Sequence, residues 1–207
     1  MEMTIHRSRW TRSLSMEYWS KGDSLSVIYI TAPPRERGTA FLKRGTEVWQ
    51  WQPAIERIIK IPPSMMSQSW MGSDFTNDDL VKEASIVDDY THTLLGDSTI
   101  RGHECHLIQM VPRPAAPIVW SKVLVWIEKD RYIELRAEYY NEQNEQENTL
   151  TLSDIKQMGG REIPTRWTMS PANEPQKSTT MRYESMEFNT PIRDSFFAQR
   201  TIKRMPR

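Results

Sequence analysis

Residues 70–80, WMGSDFTNDDL, set Asp74, Asp78 and Asp79 between an aromatic lead and a leucine, and Asp88 and Asp89 follow soon after. Carboxylates this close can hold a divalent cation or exchange protons. A calcium loop needs acids at alternate positions, a central glycine and a terminal glutamate. DFTNDDLVKE has neither the alternation nor the glycine. Helix initiation accounts for the same residues. Thr76 is placed to cap the backbone N–H of Asp79, and Asn77, Asp78 and Asp79 fill a first turn, where carboxylates meet the positive end of the helix dipole. LVKE then carries the helix for about two turns, reaching Lys82.

Other reactive residue types are sparse. HECH puts His103 and Cys105 on one face of a strand and His106 on the other. A zinc site needs three or four ligands. No CxxC or HxxxH supplies the rest, so these read as strand residues with a buried thiol, and no metal or other cofactor is expected. No GxSxG elbow is present, and KRG and RGT are too short to cradle a phosphate. Arg35, Arg37, Lys43 and Arg44 make a solvated rim, or alternatively a contact for an anionic headgroup. The richest set is apolar: Trp49, Trp51, Met65, Met66, Trp70, Met71, Phe75, Trp120, Leu124 and Trp126. Each alone reads as core. Together, rigid indoles and adaptable thioethers suit a cavity for a variable apolar ligand.

The elements that must position these residues are mostly strands. RSLSMEYWS and SLSVIYIT flank KGD, and TAFLK and EVWQWQ flank RG. AIERIIKI lies between Pro53 and the Pro62–Pro63 pair. SIVDDYTHTLL meets STIRGHECHLIQMVP across GD, and IVWSKVLVWIE meets YIELRAEYY across KDR. ENTLTLSDIKQM meets EIPTRWTMS across GGR, and KSTTMRYESMEFN closes the series. The tail is expected to make one helical turn at Asp194–Phe197 and then an extended piece. This gives about ten or eleven strands, chiefly antiparallel because their connections are tight. In EVWQWQ, Trp49 and Trp51 share a face. In IVWSKVLVWIE, Val119, Val123, Val125 and Ile127 point one way, while Trp120, Leu124 and Trp126 point the other with Lys122. Both faces of that strand are apolar, so helices, a partner or a ligand must cover the second.

The totals exclude several classes. The chain of 207 residues balances 27 basic against 27 acidic side chains, which argues against a nucleic-acid partner held by bulk charge. A single cysteine excludes an intrachain disulfide framework. No apolar run is long enough for a transmembrane helix. No repeat or change of composition marks a second domain, so residues 1–207 are expected to form one. MEMTIHRSRW opens directly on a strand pattern without a signal peptide, which suggests that a leader and a first helix have been removed.

The pieces RGTAFLKRGTEVWQWQPAIERI, MGSDFTNDDL and PIRDSFF, within the hairpin series, resemble the outer-membrane lipoprotein-sorting proteins of the LolA/LolB-like superfamily. The resemblance spans the chain from MTI onward. It implies a mainly β fold with a few short helices: an unclosed antiparallel β-barrel of about eleven strands, with a helical lid over an apolar concave face. It further implies a non-enzymatic periplasmic carrier for acyl chains of lipids or lipoproteins. An envelope transporter or an outer-membrane acceptor would be its partner. The alternative is a protein-interaction module of an envelope transport system without lipid cargo. Lys21 stands roughly where the best-known member has an arginine used in lipoprotein transfer, and that role is not carried over.

Overall fold

In a computed structural model, which describes residues 1–81, 86–114, 116 and 118–205, the chain builds one thirteen-stranded antiparallel sheet. The strands are β1 (Glu2–Arg7), β2 (Trp10–Lys21), β3 (Leu25–Ala32), β4 (Ala40–Arg44), β5 (Glu47–Gln52) and β6 (Arg57–Ile61). After the connecting segment come β7 (Tyr90–Ile100), β8 (His103–Pro112), β9 (Lys122–Glu128), β10 (Glu134–Tyr140), β11 (Gln146–Met158), β12 (Arg161–Pro171) and β13 (Ser178–Arg182). Two short helices are α1 (Asn77–Val81) and α2 (Gln199–Ile202), with 3-10 turns at Pro63–Met65 and Asp194–Phe196. Thirteen strands exceed the expected ten or eleven, and the short segments MTIH and RIIKI, read as strand patterns, are both full partners in the sheet.

The spatial order is β6-β5-β4-β3-β2-β1-β13-β12-β11-β10-β9-β8-β7. First and last strands pair at the centre, with Met3 opposite Met181 and Ile5 opposite Thr179. The unpaired edges are therefore β6 and β7, which are consecutive in sequence. The sheet is a barrel that does not close, and the connection from β6 to β7 runs between its open edges.

Alternation sorts the side chains as the period of two requires. Met3, Ile5, Leu14, Met16, Ile28, Ile30, Met169 and Met181 belong to one large apolar cluster on the inner face. On the outer face of β3–β5, Val27, Tyr29, Ala40, Leu42 and Trp51 meet Phe197 and Ile202. The expected extended tail is thus a helix instead. Phe197 and Ile202 are fully buried, and helical winding brings both against the sheet. Lys21 helps hold this tail, its Nζ donating to Asp194 Oδ1 at 2.6 Å and to Ile192 O at 3.2 Å.

A second difference concerns Gly96–Asp97, expected as a turn. β7 continues through it, with a register shift between Leu94 and Gly96. Gly96, at φ 144°, absorbs the bulge, and the reversal falls at Arg101 and Gly102, whose φ values of 49° and 83° have the signs of a type I′ turn. Phe197→Ala removes a fully buried ring from the outer cluster and is expected to cost about 3–5 kcal/mol. Urea unfolding followed by circular dichroism should show a lower midpoint at unchanged slope.

Candidate ligand cavity

The connection between the open edges folds down onto the middle of the inner face. Residues 70–75 close a tight loop in which Trp70 N–H donates to Phe75 O at 2.8 Å and Ser73 N–H to Trp70 O at 2.9 Å. Met71 and Gly72 adopt positive φ to make the bend. Asp74 clasps this loop to the paired terminal strands. Its Oδ2 accepts from Arg7 Nη1 at 2.9 Å and from Thr179 Oγ1 at 2.6 Å, and its N–H donates to Thr179 Oγ1 at 2.9 Å. Arg7 Nη2 also donates to Gly72 O at 3.0 Å, and Arg12 Nη1 to Met71 O at 3.3 Å. The clasp holds two rings in the core: Trp70, tilted against Phe41 at 5.2 Å between centroids, and Phe75.

Immediately afterwards α1 begins as its sequence demands. Thr76 Oγ1 accepts from Asp79 N–H at 3.1 Å, and Asp79 Oδ2 accepts from Thr76 N–H at 2.7 Å, a reciprocal capping pair. Asn77 Nδ2 donates to Met65 O at 2.9 Å, binding the 3-10 turn to the helix start. Trp120 Nε1 reaches Asp79 Oδ1 at 3.4 Å. The helix is described to Val81; the expected continuation through Lys82 and Glu83 lies outside the described residues. Burial pushes the Asp79 carboxyl above its ordinary range, against the lowering effect of its bonds from Thr76 and Trp120. The Tyr90 phenol is also pushed up, by burial first and then by the charges of Asp78, Asp79 and Asp89.

Beside Phe75 and α1 lies a cavity of about 530 Å³. Val123 and Val125 of β9, Leu150 and Leu152 of β11, Met169 and Met181 form its apolar wall. Trp120, packed on Tyr139 at 5.2 Å, and Trp167, edge-on to Tyr183 at 5.3 Å, border it. Arg131, Tyr132, Arg161 and Glu162 supply polar groups to the same lining. A volume of a few hundred Å³, apolar walls and few polar groups characterise small-molecule sites.

The structure brings together only part of the apolar set expected from sequence. Phe75 and Trp120 line the cavity, while Trp70 and Met71 pack against the adjoining core. Met65 is exposed and Met66 partly buried on the 3-10 turn and its cap. Trp49 and Trp51 lie on the outer face, in the cluster sealed by Phe197 and Ile202. Leu124 and Trp126 also project away from the cavity. Trp126 donates to Ser98 Oγ at 3.2 Å, packs with Cys105, Ile133 and Leu135, and carries the Arg136 guanidinium 5.5 Å above its ring. Trp120 precedes β9, so strand alternation does not govern it, and it falls on the side of Val123 and Val125. The wall residues outside the expected set carried two signals, the alternate valines Val123 and Val125 and the alternate leucines of ENTLTLSD.

The remaining sequence candidates are accounted for locally. Cys105 is buried, His103 Nδ1 lies 2.6 Å from Glu128 Oε1, and among the described residues no three metal-ligating side chains converge. Lys43 is buried, with Nζ donating to Asp23 O at 2.6 Å, whereas Arg35, Arg37 and Arg44 are exposed.

A family model described only as an uncharacterized protein matches residues 22–204. The chain belongs to this family and has the LolA-like fold. A DUF1329 family protein from Desulfovibrio piger superposes with a TM-score of 0.89 at 23% identity, covering 97% of this chain and 88% of that one. A proposed outer membrane lipoprotein-sorting protein domain from Vibrio parahaemolyticus gives 0.87 at 24% identity, covering 98% and 89%. A LolA superfamily protein from Nitrosomonas europaea gives 0.80 at 22% identity, covering 96% and 89%. No curated protein matches the sequence. No helix among the described residues is long and apolar enough to cross a membrane.

Two outcomes follow from the clasp and the cap. Asp74→Ala leaves the largely buried Arg7 without its carboxylate, a loss that typically costs about 3–5 kcal/mol. Arg7 retains the carbonyls of Gly72 and His6, so the low end of that range is expected, with faster amide exchange concentrated at residues 70–79. Asp79 has a native pKa raised above 3.8, so between that value and the native one the folded state binds more protons than the unfolded state. Its contribution to stability is therefore fully present at low pH and is lost as pH rises through the native pKa. Asp79→Asn should abolish this component, so the stability of the parent relative to the variant should fall with rising pH and then level off.

Proposed function

We propose that the protein is a periplasmic carrier that shelters acyl chains of a lipid or lipoprotein in the cavity beside the clasped loop. The observation that carries this reading is the apolar wall of Val123, Val125, Leu150, Leu152, Met169 and Met181, bordered by Phe75 and Trp120. The likeness to a LolA superfamily protein and to a proposed lipoprotein-sorting domain supports it. The chemistry is reversible burial without bond making. Each methylene removed from water contributes roughly 0.8 kcal/mol, offset by the ordering of the chain and of the side chains around it. Arg131, Tyr132 and Arg161 offer the polar end of a cargo somewhere to remain hydrated.

Mass spectrometry of organic extracts of the purified protein should find acyl species, and delipidated protein should take up palmitate in calorimetric titration. Leu152→Trp fills the wall and should weaken uptake by about tenfold or more, or roughly 1.4 kcal/mol. Absence of both acyl species and palmitate binding would overturn the proposal. The second reading, an interaction module of an envelope transport system, is favoured by Leu94 and Leu95, both exposed on edge strand β7. Capture of an envelope transporter by lipid-free protein, lost in Leu94→Ser/Leu95→Ser, would support that reading.

A further inference from the structure

A second depression, of about 660 Å³, lies on the outer face, away from the acyl cavity. Glu17 and Trp19 of β2, Tyr29 and Thr31 of β3, Arg37 of the following turn and the C-terminal segment enclose it. That segment contributes Arg200, Thr201 and Arg204 beside Phe196 and Met205. Pairing of Glu17 with Tyr29 and of Trp19 with Val27 fixes all four on the outer face. Three guanidinium groups thus meet one carboxylate. Among the described residues, none of the three has a hydrogen-bond or ion-pair partner for its side chain, and all three are exposed.

Tyr29 is the second, independent observation. The residue is 4% exposed, and its hydroxyl has no hydrogen-bond partner among the described residues. Buried hydroxyls nearly always have one. Burial raises its pKa, Glu17 acts in the same direction and Arg37 opposes both, so the phenol keeps its proton and remains a donor. While the Thr201 hydroxyl donates to Ser195 O at 3.3 Å, the guanidinium forks, the Tyr29 phenol and the Thr31 hydroxyl offer more donors than the two oxygens of a carboxylate can use. They match a phosphoryl group, with its larger set of acceptors. Trp19, set edge-on to Phe196 at 5.4 Å, and Met205 provide an apolar wall beside these donors. Bare phosphate would leave that wall without a partner, whereas an ester of an apolar alcohol would use it.

The geometry points to a phosphate-binding site in this outer cleft, with Arg37 and Arg204 gripping the phosphoryl oxygens, Tyr29 donating from below and Trp19 and Phe196 receiving the organic part. The site is separate from the acyl cavity and does not depend on the carrier reading. Its phosphoryl group can come from a phospholipid headgroup or from free phosphate.

Calorimetric titration of the full chain with inorganic phosphate and with monomeric dihexanoyl phosphatidic acid distinguishes these sources. The lipid analogue should bind at sub-millimolar concentration. R37Q/R204Q should weaken binding by about tenfold or more and Y29F by several-fold, while palmitate uptake stays unchanged in R37Q/R204Q. Inorganic phosphate binding with the same sensitivity to these variants also supports the site and makes free phosphate the source. Binding of neither probe at millimolar concentration, or binding unaltered in R37Q/R204Q, overturns the proposal. Both arginines are exposed, and circular dichroism will show that the double variant retains its fold.

Discussion

The architecture depends on the pairing of β1 with β13. A meander that began at one edge and ended at the other would leave its two open edges far apart in sequence. Here the terminal strands meet at the centre, so the edges β6 and β7 are successive in the chain. The segment between them has no alternative to crossing the opening. Once it crosses, its apolar residues meet the inner face. Trp70 and Phe75 can be buried there without any helix long enough to be stable by itself.

Polar bonds do most of the positioning of this segment. Asp74 returns it to β1 and β13, the strands that created the opening. The Thr76–Asp79 pair starts α1 at a fixed point, and Trp120 ties the helix start to the approach to β9. Directional bonds locate the segment to within a fraction of a side chain, and apolar contact beneath it contributes most of the stabilisation. That division leaves Val123, Val125, Leu150, Leu152, Met169 and Met181 as a continuous apolar wall, with Arg131, Tyr132, Arg161 and Glu162 supplying the polar groups of the same lining.

Much of this was legible in the sequence because it is local. The cap at Thr76 follows from spacing alone, and most hairpins follow from their turn residues. Faces were legible in relative terms: Val123 and Val125 do oppose Leu124 and Trp126. Which face looks inward was not, because that depends on what covers the other. Trp49 and Trp51 lie outside since Phe197 and Ile202, far along the chain, fold over them. The turn expected at Gly96 illustrates the same limit. Glycine followed by aspartate is equally suited to a reversal and to a bulge, and the register against Leu107 and Ile108 of β8 decides between them.

The placement of the indoles has a consequence for observing the molecule. Of its eight tryptophans, among the described residues only Trp120 and Trp167 border the inner cavity, and Trp19 borders the outer cleft. Trp49 and Trp51 are sealed on the far side, and Trp10 sits under the Arg7 guanidinium at 5.8 Å. Light absorbed by the chain is therefore partitioned among sites of different polarity. A ligand entering the inner cavity would change the local environment of Trp120 and Trp167, one entering the outer cleft that of Trp19, and quenching by an aqueous ion would act first on exposed Trp10. The two depressions can be read separately from one unlabelled protein by its own emission.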